Sequence, residues 1–553
     1  ICIPFHRADW TEEEEACIWR RISDILSNPK IPKVNQNILF DVYTLAVKNK
    51  ILTRGRLDDP MTANHIIYPD FPKGLDFLTS IHTRIPYYKD DGKVWKTGLL
   101  KDKHRFWRYN CQDSAVSAEC MNKLDKELDE QGYRETYEMT LRLYPVLLDM
   151  MIRGIRADRK RLDEAREEIS KLIEKTQQEL NEIVGYELNV NSSKQCQEYF
   201  YVKLGIKPYY SRKTGKVTTD DKAMARLAKG TATRPGLREA KLVQRIRALR
   251  KLQSTYLDIA FDEDSRIRCS FNPRGTTTGR LSSSQTLFGT GMNLQNLPPE
   301  FKQFLVPDPG YIFVEIDKAQ AEWVVVAYYS GDARMMEVIE QKLDPHLRTG
   351  QLISGVEDTD LILRENKVIG HSTDPVEIQH LREQHVPELL QMQKEGKIFL
   401  PRTMSIRQCG KKSNHGFNYG MGYKTFALHN EIPETEAKMI RDAYHKAYPG
   451  IESTFWAGVR RQLRKDRTLV NCFGRKRRFL GRWGPDLFNQ AYDFIGQSTV
   501  VDLINIGMVK IYEDTSYPMD KIELLAQVHD SILFQFPIDF ELLAHALRRC
   551  LKY

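Results

Sequence analysis

The sequence predicts a multidomain α+β protein, and three observations carry that prediction. The chain is 553 residues long, too long for one core when a domain typically takes ~100–200 residues. Two strongly apolar β-type runs, Tyr311–Asp317 and the hairpin Leu524–Phe536, each deliver a carboxylate near their ends. Between and before them lie long stretches of helical periodicity. At 41% hydrophobic and 28% charged residues the composition is that of an ordinary globular chain with enough apolar surface for real cores.

Taken in order, residues 1–130 alternate short β-rich runs with charged helices, the pattern of a small α/β domain. Arg134 to Glu187 reads as helix, with Leu141, Leu143, Val146, Leu147 and Met150 as its apolar stripe. Tyr209–Lys216 reads as an exposed basic loop. A further helix runs from Leu237 to about Leu257. Leu242, Ile246, Leu249 and Leu252 mark its buried face, and Lys241, Arg245, Arg247, Arg250 and Lys251 crowd the rest. Such a run is most often a solvated face, and becomes a phosphate contact only beside a site that handles nucleic acid. Residues 265–335 read as β-rich, then helical. Residues 335–445 read as mostly helical, with a charged, loop-like insert around Gly355–Val386. After Pro449 a mixed α/β stretch leads into the Leu524–Phe536 hairpin.

The net charge of +9 hints at a polyanionic partner but equally fits a lysine-rich surface. Nine cysteines are scattered singly with no C-x-x-C pair, which supports neither a disulfide framework nor a zinc site and fits a reducing cytoplasm. No apolar run approaches the ~20 residues that cross a bilayer, so no membrane partner is expected. The chain opens on Ile1-Cys2-Ile3-Pro4-Phe5, like an internal strand, and stops inside an amphipathic pattern at Tyr553; both ends are expected to be cut.

Four constellations carry chemistry. Tyr311–Asp317 is an apolar strand ending in Asp317, followed by Gln320 and Glu322 at the start of a helix. The Leu524–Phe536 hairpin carries His529-Asp530 at its tip. Alone, each aspartate is more often a cap or a turn residue. Together on adjacent strands they suit two Mg²⁺ ions ~4 Å apart. Arg407, Lys411, His415 and Tyr419 recur every four residues and share roughly one helical face. Two cations followed by two flat rings on that face suit a nucleoside triphosphate, phosphates toward the start and base toward the end. Thr276–Ser283, with Gly279-Arg280, and the amide-rich Asn293–Pro298 suit minor-groove acceptors, although a plain Ser/Thr loop explains the first segment in isolation.

In this order the four segments resemble the family A DNA polymerases of the DNA polymerase I type, with a bacteriophage flavour. D-x-S-Q-x-E is matched by Asp317, Gln320 and Glu322; R-x3-K-x7-Y-G by Arg407, Lys411, Tyr419 and Gly420; and H-D-E by His529-Asp530-Ser531. Asp344-Pro-His346, Tyr448-Pro-Gly450 and Gly496-Gln497-Ser498 also fall where the family has them. The resemblance implies a right-hand polymerase: thumb 131–264, palm 265–335 and 446–553 built on an antiparallel sheet, and helical fingers 336–445. It implies that Asp317 and Asp530 bind two Mg²⁺ (Mn²⁺ as a substitute). Arg407, Lys411 and His346 would neutralise the triphosphate, with Lys411 the acid for pyrophosphate. Tyr419 would sit beside the templating base, and Glu322 would reject a ribose 2′-hydroxyl. Arg280 and Gln497 would follow the minor groove, while His529 supports the primer terminus. Two positions depart from the family: Ser531 stands where a glutamate is usual, and His415 where Phe or Tyr faces the sugar.

Residues 1–130 resemble the family's RNase H-like 3′→5′ exonuclease domain, truncated at its start. Asp41 and Tyr109-x3-Asp113 match its second and third motifs, with Asp41 and Asp113 as metal ligands and Tyr109 orienting a water. The first motif, D-x-E, is absent. The implied partners are primer–template DNA, dNTPs and an unidentified processivity factor, for a monomer working in the cytoplasm of a phage-infected bacterium. Two alternatives compete with this reading. A single-subunit RNA polymerase resembles R-x3-K-x6-Y-G and lacks a gate glutamate, whereas seven residues separate Lys411 from Tyr419 here and Glu322 is present. A non-catalytic scaffold would not need Asp317, Asp530, Arg407 and Lys411 together.

Overall fold

The computed structural model describes residues 2, 3, 5, 10–96, 102–211, 214–230 and 235–553; Arg212 and Lys213 of the expected basic loop lie outside them. The chain divides into two compact units. One is made of Ile1–Arg153, Phe271–Ser283 and Gly310–Tyr553, the other of Gly154–Ser270 and Ser284–Pro309.

Among the described residues the smaller unit is largely helical, with a two-residue antiparallel ladder of Ile155–Arg156 with Arg266–Ile267. Its long helix Arg159–Val184 starts on Asp158, whose side chain accepts from the Arg161 amide, and stops at Gly185 with φ 88°. Leu180, Val184, Phe200, Met224, Leu227, Val243 and Ile246 form its core. The Arg238–Leu252 helix forms as its periodicity predicts and runs on through a wider turn to Leu257. The expected basic face is thinner than the sequence suggests. Arg247 donates to the Val190 and Thr219 carbonyls and Arg250 to Gln177, so both are held inside this unit, while Lys241, Arg245 and Lys251 remain exposed.

In the larger unit the first 130 residues are less β-rich than expected. Among the described residues the sheet reduces to a two-residue parallel ladder, Lys33–Val34 with Leu57–Asp58, among helices. One apolar run, Pro60–Ile67, is helical on a clear start signal: Asp59 accepts from the Met61 amide with Pro60 at the first helical position. The helix α1 (Arg134–Arg153), expected to open the thumb, belongs to this unit. It buries Tyr137, Tyr144 and Leu147, and Arg153 donates to the Leu524 carbonyl.

The sheet that positions the site has three antiparallel strands, β1 (Tyr311–Asp317), β2 (Glu523–Val528) and β3 (Ser531–Pro537), in the order β2-β3-β1. Helix α2 (Ala321–Ser330) follows β1. Beyond it, α3 (Pro345–Ser354) packs against α6 (Ile406–Phe417). The segment expected to be a loop-like insert instead holds two helices, α4 (Thr359–Ile369) and α5 (Pro375–His385). Asp358 and Asp374 cap them, accepting from the Leu361 and Val376 amides. Two of the charges that suggested a loop are these caps, and two more form a buried pair: Arg382 donates to Glu365 through Nε at 2.9 Å, and both side chains are 3% exposed or less. Glu365 accepts from the Ile406 amide at 2.8 Å, and Arg382 donates to the Pro401 and Met404 carbonyls. The insert thereby braces the first turn of α6.

Helix α7 (Pro485–Glu513) corrects a further expectation. It is long and apolar enough to cross a bilayer by length and composition, but 78% of its apolar window is buried in the protein, as in a core helix.

Helices α3 and α6 meet backbone to backbone. A Cβ on Gly410 would lie 2.0 Å from the His346 carbonyl oxygen and 2.6 Å from the Gly350 nitrogen. Gly410→Ala is therefore expected to cost about 2–3 kcal/mol through forced separation of the helices, read as a lower urea midpoint. Gly458→Ala, in the Ala457–Asp466 helix with nothing within 4 Å of the new methyl, should leave the midpoint unchanged or raise it.

Candidate active site

The register of β3 against β1 sets Ser531 opposite Asp317, and the Lys318 amide donates to the Asp530 carbonyl at 3.3 Å. Asp317 and Asp530, 213 positions apart in the chain, thus end adjacent strands at one edge of the sheet. The β2–β3 connection is the two-residue turn His529-Asp530, with His529 in left-handed backbone at φ 56°. Gln320, just before α2, is also left-handed at φ 56°. Each such non-glycine residue costs ~1 kcal/mol or more, strain that gathers where a fold must aim a functional group.

Burial, then repulsion from Asp530 and Glu315, pushes the Asp317 carboxyl above its ordinary value. Among the described residues, neither aspartate is ion-paired. Two hard oxygen donors repelling each other without a cation fit divalent ions. Magnesium in particular is commonly held by one or two carboxylates, with water and substrate phosphates completing the shell. Among the described residues no group of three or more His, Cys, Asp or Glu is gathered to hold an ion unaided.

Helix α6 places Arg407 and Lys411 one turn apart, as expected. Arg407 donates to Asp344 through Nε at 2.8 Å and Nη2 at 2.7 Å. Asp344 also caps α3, accepting from the His346 and Leu347 amides. Burial pushes its carboxyl up, but Arg407 and the two amides outweigh that, and the net shift is downward. Lys411 and His415 are exposed. Tyr419 is not on the helix, which stops at Phe417; it lies in the following turn and donates to Glu322 at 3.1 Å.

His346 requires a correction. Its ring is 7% exposed, Nδ1 pairs with the Asn414 amide, and His415 lies 5.7 Å away. Burial, opposed by Asp344 and reinforced by the neighbouring His415 ring, Arg407 and Lys411, pulls its pKa down to about 4. In the ligand-free chain it is therefore an uncharged imidazole at neutral pH.

Glu322 is ion-paired with Arg280 as well as bonded to Tyr419. Gln497 donates to Asp493 at 2.6 Å and accepts from Thr278 at 3.3 Å. Arg280 and Gln497, expected to face a groove, are thus engaged within the protein. A pocket of about 270 Å³ is lined by Glu322, His346, His415, Tyr419, His529 and Asp530 among others.

Sequence reasoning missed two residues here. Asn414 is buried and joins three elements: its Oδ1 accepts from Trp323 and Thr349, and its amide reaches the Pro345 carbonyl. Asp493 lies half-buried four residues before Gln497, a helical spacing that was a readable signal. Burial and the neighbouring Glu322, opposed by Arg280, Gln497 and Arg477, push Asp493 up to about 6. Its folded pKa lies above the unfolded one, so its stabilisation is complete below pH 3.8 and is lost as pH rises through about 6. The stability difference between the parent and Asp493→Asn is expected to shift by on the order of 2 kcal/mol between pH 4 and pH 7, the parent losing, in urea melts at the two pH values.

The exonuclease-type residues each have partners within the protein. Tyr109 and Asp113 come together, but around Lys89, whose ammonium donates to both Asp113 oxygens at 2.7 and 2.9 Å and to Tyr109 at 3.3 Å. Asp41 instead accepts from Asn35 at 2.8 Å. Burial is the main force pushing it up to about 6, with repulsion from Asp59 added.

The family described as DNA polymerase family A matches residues 159–368 and 398–552. The chain is 27% identical over 543 residues to DNA polymerase I of Rhizobium leguminosarum, covering 93% of this chain and 48% of that protein. It is 27% identical over 419 residues to the thermostable DNA polymerase I of Thermus filiformis, covering 71% and 43% respectively. The chain spans about half the length of the curated relatives it matches. A solved structure, the POL domain of Pol1 from M. smegmatis in complex with DNA primer–template and dNTP, has the same fold with a TM-score of 0.74 at 22% identity. The match covers 98% of this chain and 86% of that one. With the family match spanning both carboxylate strands and the helix of Arg407 and Lys411, the chain belongs to DNA polymerase family A.

Proposed function

We propose that the chain is a template-directed DNA polymerase that adds dNTPs to a primer 3′-hydroxyl. One observation carries the reading: Asp317 and Asp530 meet at the edge of the sheet across the Ser531–Asp317 register, with no cation paired to either among the described residues. Two Mg²⁺ bound there would supply activation of the primer oxygen and stabilisation of the leaving pyrophosphate. Asp317 and Asp530 hold them. Arg407, fixed by Asp344, and the exposed Lys411 meet the triphosphate from α6, with Lys411 placed to give a proton to the departing pyrophosphate. His415 and Tyr419 face sugar and base. Glu322, held by Arg280 and Tyr419, cannot swing aside for a ribose 2′-hydroxyl, which makes it the gate. His529 supports the primer end, and residues 131–264, 265–335 with 446–553, and 336–445 act as thumb, palm and fingers.

The test is extension of a labelled primer on a DNA template with Mg²⁺. Template-dependent addition of dNTPs, with ribonucleotides used at least ~100-fold less efficiently, supports the reading. Unprimed synthesis from ribonucleotides would instead establish the RNA polymerase alternative. The same gel without dNTPs tests the exonuclease reading of residues 1–130. Primer shortening that Asp113→Ala abolishes supports it, and an intact primer overturns it.

A further inference from the structure

We propose that Glu315 is a positioning carboxylate of the Asp317–Asp530 site, supplying from β1 the acidic group that Ser531 does not carry at the head of β3. The inference rests on the metal-dependent reading above.

Side chains alternate along a strand, so Glu315 lies on the same face of β1 as Asp317, one pleat further from the tip. Across the ladder Asp317 faces Ser531 and Glu315 faces Leu533. Glu315 does not stay over Leu533. It reaches diagonally, and the Ser531 hydroxyl donates to its Oε1 at 2.8 Å. The same hydroxyl lies 3.1 Å from the Val528 carbonyl. It has one proton to give, and a charged acceptor at the shorter distance takes it. Ser531 is 4% exposed, so the bond is sheltered, and the residue it fixes directly follows Asp530.

Among the described residues no basic side chain pairs with Glu315. An unpaired acid two positions from Asp317, on the face that already holds two carboxylates, works against the isolated fold. It works in favour of the fold once divalent cations sit there. Glu315 is engaged by the Ser531 hydroxyl, so the role assigned to it is positioning rather than direct ligation. It acts by adding a negative charge to the face and by holding Ser531, and with it the turn that aims Asp530.

The test is Mn²⁺ binding to the full chain, followed by loss of the free-ion electron paramagnetic resonance signal, beside the Mg²⁺ dependence of primer extension. Glu315→Gln is expected to weaken Mn²⁺ binding ~10-fold and to raise the Mg²⁺ needed for half-maximal extension by a similar factor. Glu315→Gln combined with Ser531→Glu, which moves the charge to the facing strand, is expected to recover both to within ~3-fold. Parental Mn²⁺ affinity in Glu315→Gln overturns the proposal. So does a double variant that melts like the parent yet recovers nothing. If Glu315→Gln does not fold, Glu315→Asp replaces it. Its carboxylate is one methylene short of Ser531, so affinity should fall ~3-fold, and parental affinity again overturns the idea. Asp317→Ala separates the two levels. If it too keeps parental Mn²⁺ binding and extension, the polymerase site itself is wrongly placed; if it alone loses them, only the role of Glu315 is.

Discussion

Asp317→Ala is expected to lower Mg²⁺-dependent primer extension by at least ~10³-fold while leaving primer–template affinity within ~3-fold of the parent. The two effects separate because the aspartate holds ions, whereas DNA affinity comes mainly from phosphate contacts spread over a wide surface. Single-turnover extension and a filter-binding titration read them independently. The electrostatics add a third expectation. Burial and the charges of Asp530 and Glu315 already disfavour the ionised Asp317, so removing it relieves repulsion rather than breaking a pair. The variant should therefore melt no lower than the parent in metal-free buffer. A large fall in melting temperature would mean that Asp317 holds the fold together, and that lost extension reports unfolding.

Arg274→Ala is expected to have the largest effect on stability, a loss of about 3–5 kcal/mol. Arg274 and Asp59 form an ion pair at 2.5 Å with side-chain exposures of 5% and 0%. Asp59 is also bonded by the amides of Asn37 and Met61 and by the Tyr144 hydroxyl, so its charge is fully committed. Taking Arg274 away leaves that carboxylate buried without its counter-ion, and also strips a donor from Asn37 and Asn272. Asp59→Asn with Arg274→Met removes both charges and should be less damaging than Arg274→Ala alone, because a missing pair costs less than a widowed charge. Urea midpoints of the three proteins check this. A double variant no more stable than Arg274→Ala would count against a charge-based explanation.

Much of the site was legible because its parts are local. Tyr311–Asp317 and Leu524–Phe536 are continuous apolar runs with turn residues at their ends, and they appear as β1, β2 and β3 almost to the residue. The four-residue recurrence from Arg407 to His415 is likewise a property of one helix, though the helix ends before Tyr419. What could not be read is pairing at a distance. Nothing local tells Asp59 that its cation is Arg274, or Glu315 that its donor is Ser531, since each pair is more than 200 positions apart. The α4–α5 insert failed for the opposite reason. Its charges were weighed as composition, whereas Asp358, Asp374, Glu365 and Arg382 each answer to a particular backbone or side-chain group. His346 shows the same limit: its burial against Asn414, invisible in the chain order, decides that it carries no charge.

The glycine contact between α3 and α6 restricts how the nucleotide-facing part of the molecule can flex. With bare backbone touching at Gly350 and Gly410, and the Arg407–Asp344 bridge clamping one end, the two helices have no lubricating layer of side chains over which to slide. They must travel as a single lever, so any swing that brings Arg407 and Lys411 onto an incoming triphosphate carries His346 along with it.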